Sequence, residues 1–257
     1  MTRLEASSVV VRRNGRNIVD LVSAKGQAGD FIALIGANGA GKSTLLSVLA
    51  GLLKPDSGQV TLDGRTLTEY RGTELAKRRA FLPQNPRCEW PISVERLVAL
   101  GLTPSLPAIG TFPEDFRAKV NATLTAFDLE AHRDQPATTL SGGELARAML
   151  ARALVGDPHI LIADEPVAGL DPRHTLDTVR RLRRLAGEGK LIIISLHDLT
   201  LAARFSTRIL AMKAGRLIAD GPTAETMTSG LLRDVFDVDA CVSGTGDTAL
   251  VDFSAGS

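Results

Sequence analysis

Gly36-Ala37-Asn38-Gly39-Ala40-Gly41-Lys42-Ser43-Thr44 has the G-x-x-x-x-G-K-S spacing of a phosphate-binding P-loop. Before it lies Asp30-Phe31-Ile32-Ala33-Leu34-Ile35, a strand-like apolar run, and after it Leu45-Leu46-Ser47-Val48-Leu49-Ala50 continues as a helix. Strand, loop and helix in that order are the setting the motif needs. Its glycines let backbone N–H groups turn towards a polyphosphate, and the helix behind them adds a positive N-terminal end. Gly36, Asn38, Gly39, Gly41 and Thr44 therefore read as nucleotide-binding positions. Lys42 reaches the β- and γ-phosphates, and the Ser43 hydroxyl ligates Mg²⁺. A glycine-rich turn with an exposed lysine is the plain alternative, disfavoured by the flanking strand and helix. The glycines are spaced wrongly for the dinucleotide pattern G-x-G-x-x-G, which disfavours a Rossmann site.

Upstream, Ser8–Arg12 and Ile18–Val22 flank Asn14-Gly15, a strong hairpin signal. Downstream, Gln59–Leu62 and Arg65–Leu67 enclose Asp63-Gly64 in the same manner, and Arg79–Gln84 reads as a short strand ending on a polar residue. From Asn85 to about Thr139 helical segments, Val94–Leu100 and Phe116–Phe127, are separated by the Pro/Gly-rich Thr103–Pro113. An alanine-rich helix then runs from the Leu140 motif to Leu154. His159–Ala163 and Lys190–Ser195 read as buried parallel strands joined by a helix over Arg173–Ala186, and a third hairpin turns at Ala214-Gly215.

The chain thus reads as α/β: a P-loop NTPase core of RecA-like type with an antiparallel β subdomain and an inserted α-helical subdomain. Residues 1–84 form the first part of the core, 85–153 the helical subdomain, 154–243 the second part of the core, and 244–257 a Gly/Ser/Thr-rich tail expected to be loosely ordered.

Composition narrows the function. The 257 residues are 44% hydrophobic, ample for a buried core, and 30 basic against 29 acidic residues leave +1, which points away from nucleic acid or a charged membrane surface. Cys88 and Cys241 are far apart and outside any C-x-x-C spacing, against a disulfide framework or zinc site. Met1–Glu5 lacks the apolar stretch of a signal peptide, and the run at Leu191–Ile194 is far short of a membrane span. Any membrane span would come from another chain.

Hydrolysis of a nucleoside triphosphate also needs a metal ligand, an orienting base and stabilisation of the γ-phosphate. Asp164 closes an apolar strand where such a site holds Mg²⁺, and adjacent Glu165, on the alternate face, would point to the attacking water. His197 follows the next apolar strand at the same sheet edge, and Gln84 shares that placement as a neutral group able to meet Mg²⁺ and water. His132, His159 and His174 lack such a setting and read as structural. Ser141-Gly142-Gly143 at a helix start makes a second anion-binding end, one more than an isolated site needs. A head-to-tail pair of chains would use both, sandwiching each nucleotide between the P-loop of one copy and the Leu140 motif of the other.

In this order the motifs resemble those of ATP-binding subunits of ABC transporters, over all but the tail. The resemblance identifies Gly36–Ser43 as Walker A, Gln84 as the Q-loop, Leu140–Glu144 as the signature and Ile160–Asp164 as Walker B. Glu165 then becomes the general base, Ala168–Asp171 the D-loop with Asp171 at the nucleotide, and His197 the switch histidine. Leu82-Pro83-Gln84, Trp90-Pro91 with Val98–Gly101, Ala163–Pro172 and His197–Arg204 are similar to the importers of iron-siderophores, haem and cobalamin. That implies ATP and Mg²⁺, a homodimer, two membrane permease subunits, an extracytoplasmic substrate-binding protein and a place on the cytoplasmic face of the inner membrane, with no nucleic acid. Two positions depart from the pattern. The base-stacking aromatic is replaced by Arg13, whose guanidinium can stack on a base, and Leu145 stands where such proteins carry a polar residue. A soluble ABC ATPase acting on nucleic acid or ribosomes, and a nucleotide-gated scaffold, are the competing readings; the even charge disfavours the first and Glu165 the second.

Overall fold

A computed structural model of the protein describes residues 2–106 and 115–253. The first hairpin, β1 (Arg3–Arg13) and β2 (Arg16–Gln27), turns at Asn14-Gly15 with φ of 49° and 76°, the left-handed pair a two-residue hairpin needs. It is longer than expected because apolar positions continue towards the N-terminus, with Leu4 and Ala6 buried. β3 (Phe31–Gly36) leads through the P-loop into α1 (Lys42–Leu49), followed by the hairpin β4 (Ser57–Leu62) and β5 (Arg65–Thr66). These hairpins join as a four-stranded antiparallel sheet, β2-β1-β4-β5.

Next come α2 (Gly72–Arg78), unannounced by the sequence, β6 (Arg79–Leu82), α3 (Val94–Ala99), α4 (Phe116–Ala126) and α5 (Gly142–Leu154). Part of the expected Thr103–Pro113 connection, residues 107–113, lies outside the described residues. β7 (Ile160–Ala163), α6 (Pro172–Gly187), β8 (Leu191–Ser195), α7 (Leu199–Phe205), β9 (Arg208–Lys213) and β10 (Arg216–Pro222) complete the larger sheet. Its order is β10-β9-β3-β8-β7-β6, all parallel except β10. The chain continues through α8 (Thr223–Thr226), α9 (Ser229–Phe236), β11 (Ala240–Ser243) and β12 (Leu250–Phe253).

Strand alternation divides the core. Phe31, Ala33 and Ile35 of β3 join a cluster with the helices α3 to α7, while Ile32 and Leu34 face α1 and the small sheet. Full burial of each such leucine or isoleucine stabilises by about 1.5–3 kcal/mol, so the central strands carry apolar side chains on both faces. In register, Leu82 lies beside Ala163, Ala163 beside Ile194 and Leu34 beside Ser195. The C-terminal ends of β3, β6, β7 and β8 therefore meet at one edge, where their loops carry Lys42, Gln84, Asp164 and His197.

The expectation of a loose tail from Gly244 fails for residues 244–253. Leu250–Phe253 pairs antiparallel with Ala240–Ser243, Val251 is buried, and Arg204 Nε donates to the Ala249 carbonyl at 2.6 Å. Small polar residues there form the connection of a ribbon that packs on α7; residues 254–257 lie outside the described residues. Among the described residues no helix is long and apolar enough to cross a membrane.

Candidate active site

The P-loop is clamped between two pieces of backbone. Gly41 sits at φ 101°, and a Cβ there would lie 2.4 Å from the Ile18 carbonyl oxygen of β2; a Cβ at Gly36 would meet the Met212 carbonyl of β9 at the same distance. Only glycine fits either place. Lys42 is buried and curls back, its Nζ donating to the carbonyls of Gly36 at 2.7 Å and Ala37 at 3.1 Å. Burial pushes its ammonium below the usual lysine range, opposed by the carboxylates of Glu165 and Asp164. Those carbonyls hold the position a polyphosphate would compete for.

Asp164, on the residue after β7, is buried, and its Oδ1 accepts from Ser195 Oγ at 2.6 Å. The same Ser195 oxygen accepts the Glu165 amide at 2.8 Å. One hydroxyl at the end of β8 thus fixes both residues of the Asp164-Glu165 pair. Strand alternation was expected to aim Glu165 away from Asp164, but the strand has ended. A left-handed backbone at Glu165, φ 50°, makes the divergence instead, a conformation that costs on the order of 1–3 kcal/mol for a residue with a side chain. Glu165 Oε1 then accepts from His197 Nε2 at 2.6 Å. The glutamate side chain is 15% exposed and the histidine 48%, so the pair opens to solvent on the histidine side.

Gln84 is exposed, two residues past β6. The neighbouring Pro83 and Asn85 share a cleft of about 270 Å³ with Gly142, Leu145, Glu165 and Gly169. Leu145, at the departure from the family pattern, lines this cleft and packs against the core. Ser141 caps α5: its oxygen accepts the Glu144 amide at 3.4 Å, while Glu144 Oε2 accepts from Ser141 N and Oγ at 2.8 Å each. These bonds, Ser141's hydroxyl first, hold the Glu144 carboxyl below its usual range, helped by nearby His132 and Arg147.

Asp171 caps α6, accepting from His174 N at 3.0 Å and lying 2.6 Å from His174 Nδ1. Those two contacts lower its carboxyl pKa. Arg13 is at the exposed tip of the first hairpin, opposite Arg16; the hairpin meets the P-loop further along, at Ile18. Ser43 is exposed at the first turn of α1 with Thr44 half-buried beside it, and Asn38 and Gly39 are exposed on the loop.

Two residues escaped the sequence reading. Ser195 was legible only as the one hydroxyl ending the apolar run Leu191–Ile194. His174, read as structural, joins Asp171 to Arg147 Nη1 of α5, 3.0 Å from its Nε2.

The profile of the ABC transporter family matches residues 19–168. The hemin import ATP-binding protein HmuV of Rhodopseudomonas palustris is 42% identical over 243 residues, 91% of this chain and 88% of that protein. HmuV of Streptomyces coelicolor is 38% identical over 232 residues, 90% and 82% of the two chains. Among solved structures, an ATP-binding subunit of an ABC transporter superposes with a TM-score of 0.80 at 26% identity, covering 91% of this chain and 98% of its own. A dimeric ATP-binding cassette in a post-hydrolysis state with ADP and phosphate gives 0.78 at 26% identity over 86% and 98%. The P-loop, the carboxylate pair after β7 and the histidine after β8 lie in a chain that belongs to the ABC transporter family, as one of its ATP-binding and ATP-hydrolysing subunits.

Proposed function

We propose that this protein powers an importer of haem, working as a homodimer beneath two membrane permease subunits on the cytoplasmic face of the inner membrane. An extracytoplasmic substrate-binding protein delivers the cargo. The import and the cargo rest on relatives at 38–42% identity named as hemin import ATPases. One observation carries the dimer. Lys42, Asp164, Glu165 and His197 converge within one chain, while Ser141-Gly142-Gly143 opens α5 as a second helix start able to bind an anion, with Gly142 lining the cleft it shares with Glu165. A second copy supplies the motif that completes each nucleotide site. Residues 85–153 act as the helical subdomain between the two parts of the ATP-binding core, 1–84 and 154–243. The apolar groove of the helical region, lined by Ile92, Leu100 and Val120 beside the exposed Trp90, is the face we assign to the permease.

In each site the P-loop amides and Lys42 hold the β- and γ-phosphates, Asn38, Gly39 and Thr44 complete the cradle, and Arg13 stacks on the base. Ser43, Gln84 and Asp164 carry hard oxygen donors, the donor type Mg²⁺ prefers, and would hold it. A magnesium ion held by them would offset the negative charge of the phosphates. Glu165 orients a water and takes its proton as the water oxygen bonds to the γ-phosphorus and the bond to the ADP oxygen breaks. His197, donating to Glu165, holds that carboxylate in place. Ser141 and the amides of Gly142 and Gly143 from the other copy meet the γ-phosphate, with Asp171 at the same junction.

Growth on hemin as sole iron source tests the cargo. A strain lacking this chain should fail, and wild-type protein but not Glu165→Gln should restore growth. Normal growth of the deletion strain on hemin, with loss of growth on another iron source, would sink the haem reading and leave the ATPase intact.

A further inference from the structure

The start of α5 and the loop before α6 are distant in sequence but pressed together. A Cβ at Gly143 would sit 3.6 Å from both the Gly169 carbonyl oxygen and Leu170 Cδ2, ordinary contact distance, so the signature glycine rests on the D-loop. One turn further along α5, Arg147 Nη1 lies 3.0 Å from His174 Nε2, and His174 Nδ1 lies 2.6 Å from Asp171 Oδ2. A guanidinium only donates, so Nε2 is the acceptor, and the ring proton is on Nδ1, donated to the carboxylate. The same histidine's amide donates to Asp171 Oδ1 at 3.0 Å. The imidazole therefore has one tautomer and one orientation, and it joins the guanidinium on the signature helix to the residue that caps α6.

We infer that Arg147 and His174 are positioning residues that lock the signature helix to the D-loop, so that each chain lends both to a second copy as one preformed half-site. The inference rests on the two-copy nucleotide site proposed above. Neither residue touches the nucleotide in this arrangement. Their effect runs through Ser141–Gly143 and Asp171, whose placement to within a fraction of an ångström decides how well the γ-phosphate is held. The positive charge of Arg147 also lies near Glu144, whose carboxylate accepts from the helix cap Ser141. Without the bridge, the van der Waals contact at Gly143 still joins the start of α5 to the loop but carries no polar link.

Mixed dimers test this, because a half-site residue acts only in the chain that lends the signature. A Lys42→Ala chain has a dead P-loop and an intact signature; a Ser141→Arg chain has the reverse; together they form one live site. His174→Ala placed in the Lys42→Ala chain should lower the recovered ATPase rate about tenfold. In the Ser141→Arg chain the same change should leave it within about twofold. Equal loss in both placements, loss only in the second, or no loss in either overturns the positioning role. If His174→Ala does not fold, Arg147→Gln is placed in the same two chains with the same expectations.

The second measurement needs no dimer. In the isolated wild-type chain, the ¹⁵N spectrum of His174 should show the Nδ1–H tautomer, and Arg147→Gln should shift it towards Nε2–H. A wild-type ring protonated at Nε2 overturns the bridge. No recovered activity even without a His174 change, in verified mixed dimers, would sink the two-copy site itself, while the nitrogen spectrum still decides the bridge.

Discussion

Ser195 holds Asp164: its hydroxyl donates to Oδ1 at 2.6 Å and at the same time accepts the Glu165 amide at 2.8 Å. A fully buried serine on β8 thereby sets both the carboxylate proposed for the metal and the backbone of the proposed base. Removing it leaves a buried carboxylate oxygen and a part-buried N–H each short of a partner, costing up to about 1–3 kcal/mol per group. Ser195→Ala should lower the denaturation midpoint and cut kcat roughly 10- to 100-fold, with ATP affinity changed less. A variant with wild-type kcat and thermal midpoint would show that the hydroxyl positions neither residue.

Glu165→Gln keeps the size of the side chain and a hydrogen bond acceptor for His197 but removes the base. General-base catalysis contributes about 10²–10⁴ in rate, so steady-state turnover should fall by at least 10²-fold while ATP still binds. Size-exclusion chromatography with ATP should show a persistent dimer. Turnover close to wild type in the purified variant removes Glu165 from the base role.

Gly41→Ala places a methyl at a φ of 101° and 2.4 Å from the Ile18 carbonyl. Backbone strain of this kind costs on the order of 1–3 kcal/mol, and the carbonyl cannot yield without shifting β2. The expected result is a lower melting temperature together with at least tenfold weaker ATP binding, read by calorimetry. Unchanged affinity would mean the loop can reach its nucleotide-bound form by another path.

Glu144→Ala removes half of the capping box on α5, worth about 1 kcal/mol. Because the bonds from Ser141 hold the Glu144 carboxyl below the usual glutamate range, its contribution is present above that range and lost as pH falls through the lower folded value. The wild-type advantage over Glu144→Ala, measured by urea denaturation at about pH 7 and pH 3.5, should shrink on acidification. A difference independent of pH would mean that the carboxylate charge plays no part in the cap.

Features written in neighbouring residues were legible directly: the P-loop between its strand and helix, the turns at Asn14-Gly15 and Asp63-Gly64, and the apolar strands ending in Asp164 and before His197. Each depends on a left-handed turn, a period of two or a helix start, and such short-range chemistry is visible in a few consecutive residues. The remaining features depend on pairing across long separations. The order of β3, β8 and β7 brings Ser195 to Asp164, a serine that nothing in its own neighbourhood marks. A left-handed backbone at Glu165, rather than strand alternation, turns its carboxylate to His197. His174 acquires its role from Arg147, 27 residues away, and the tail gains a strand by pairing with β11. These contacts form because burying the core strands and helices drives distant segments together, and that total is spread over the whole chain rather than written in any one stretch.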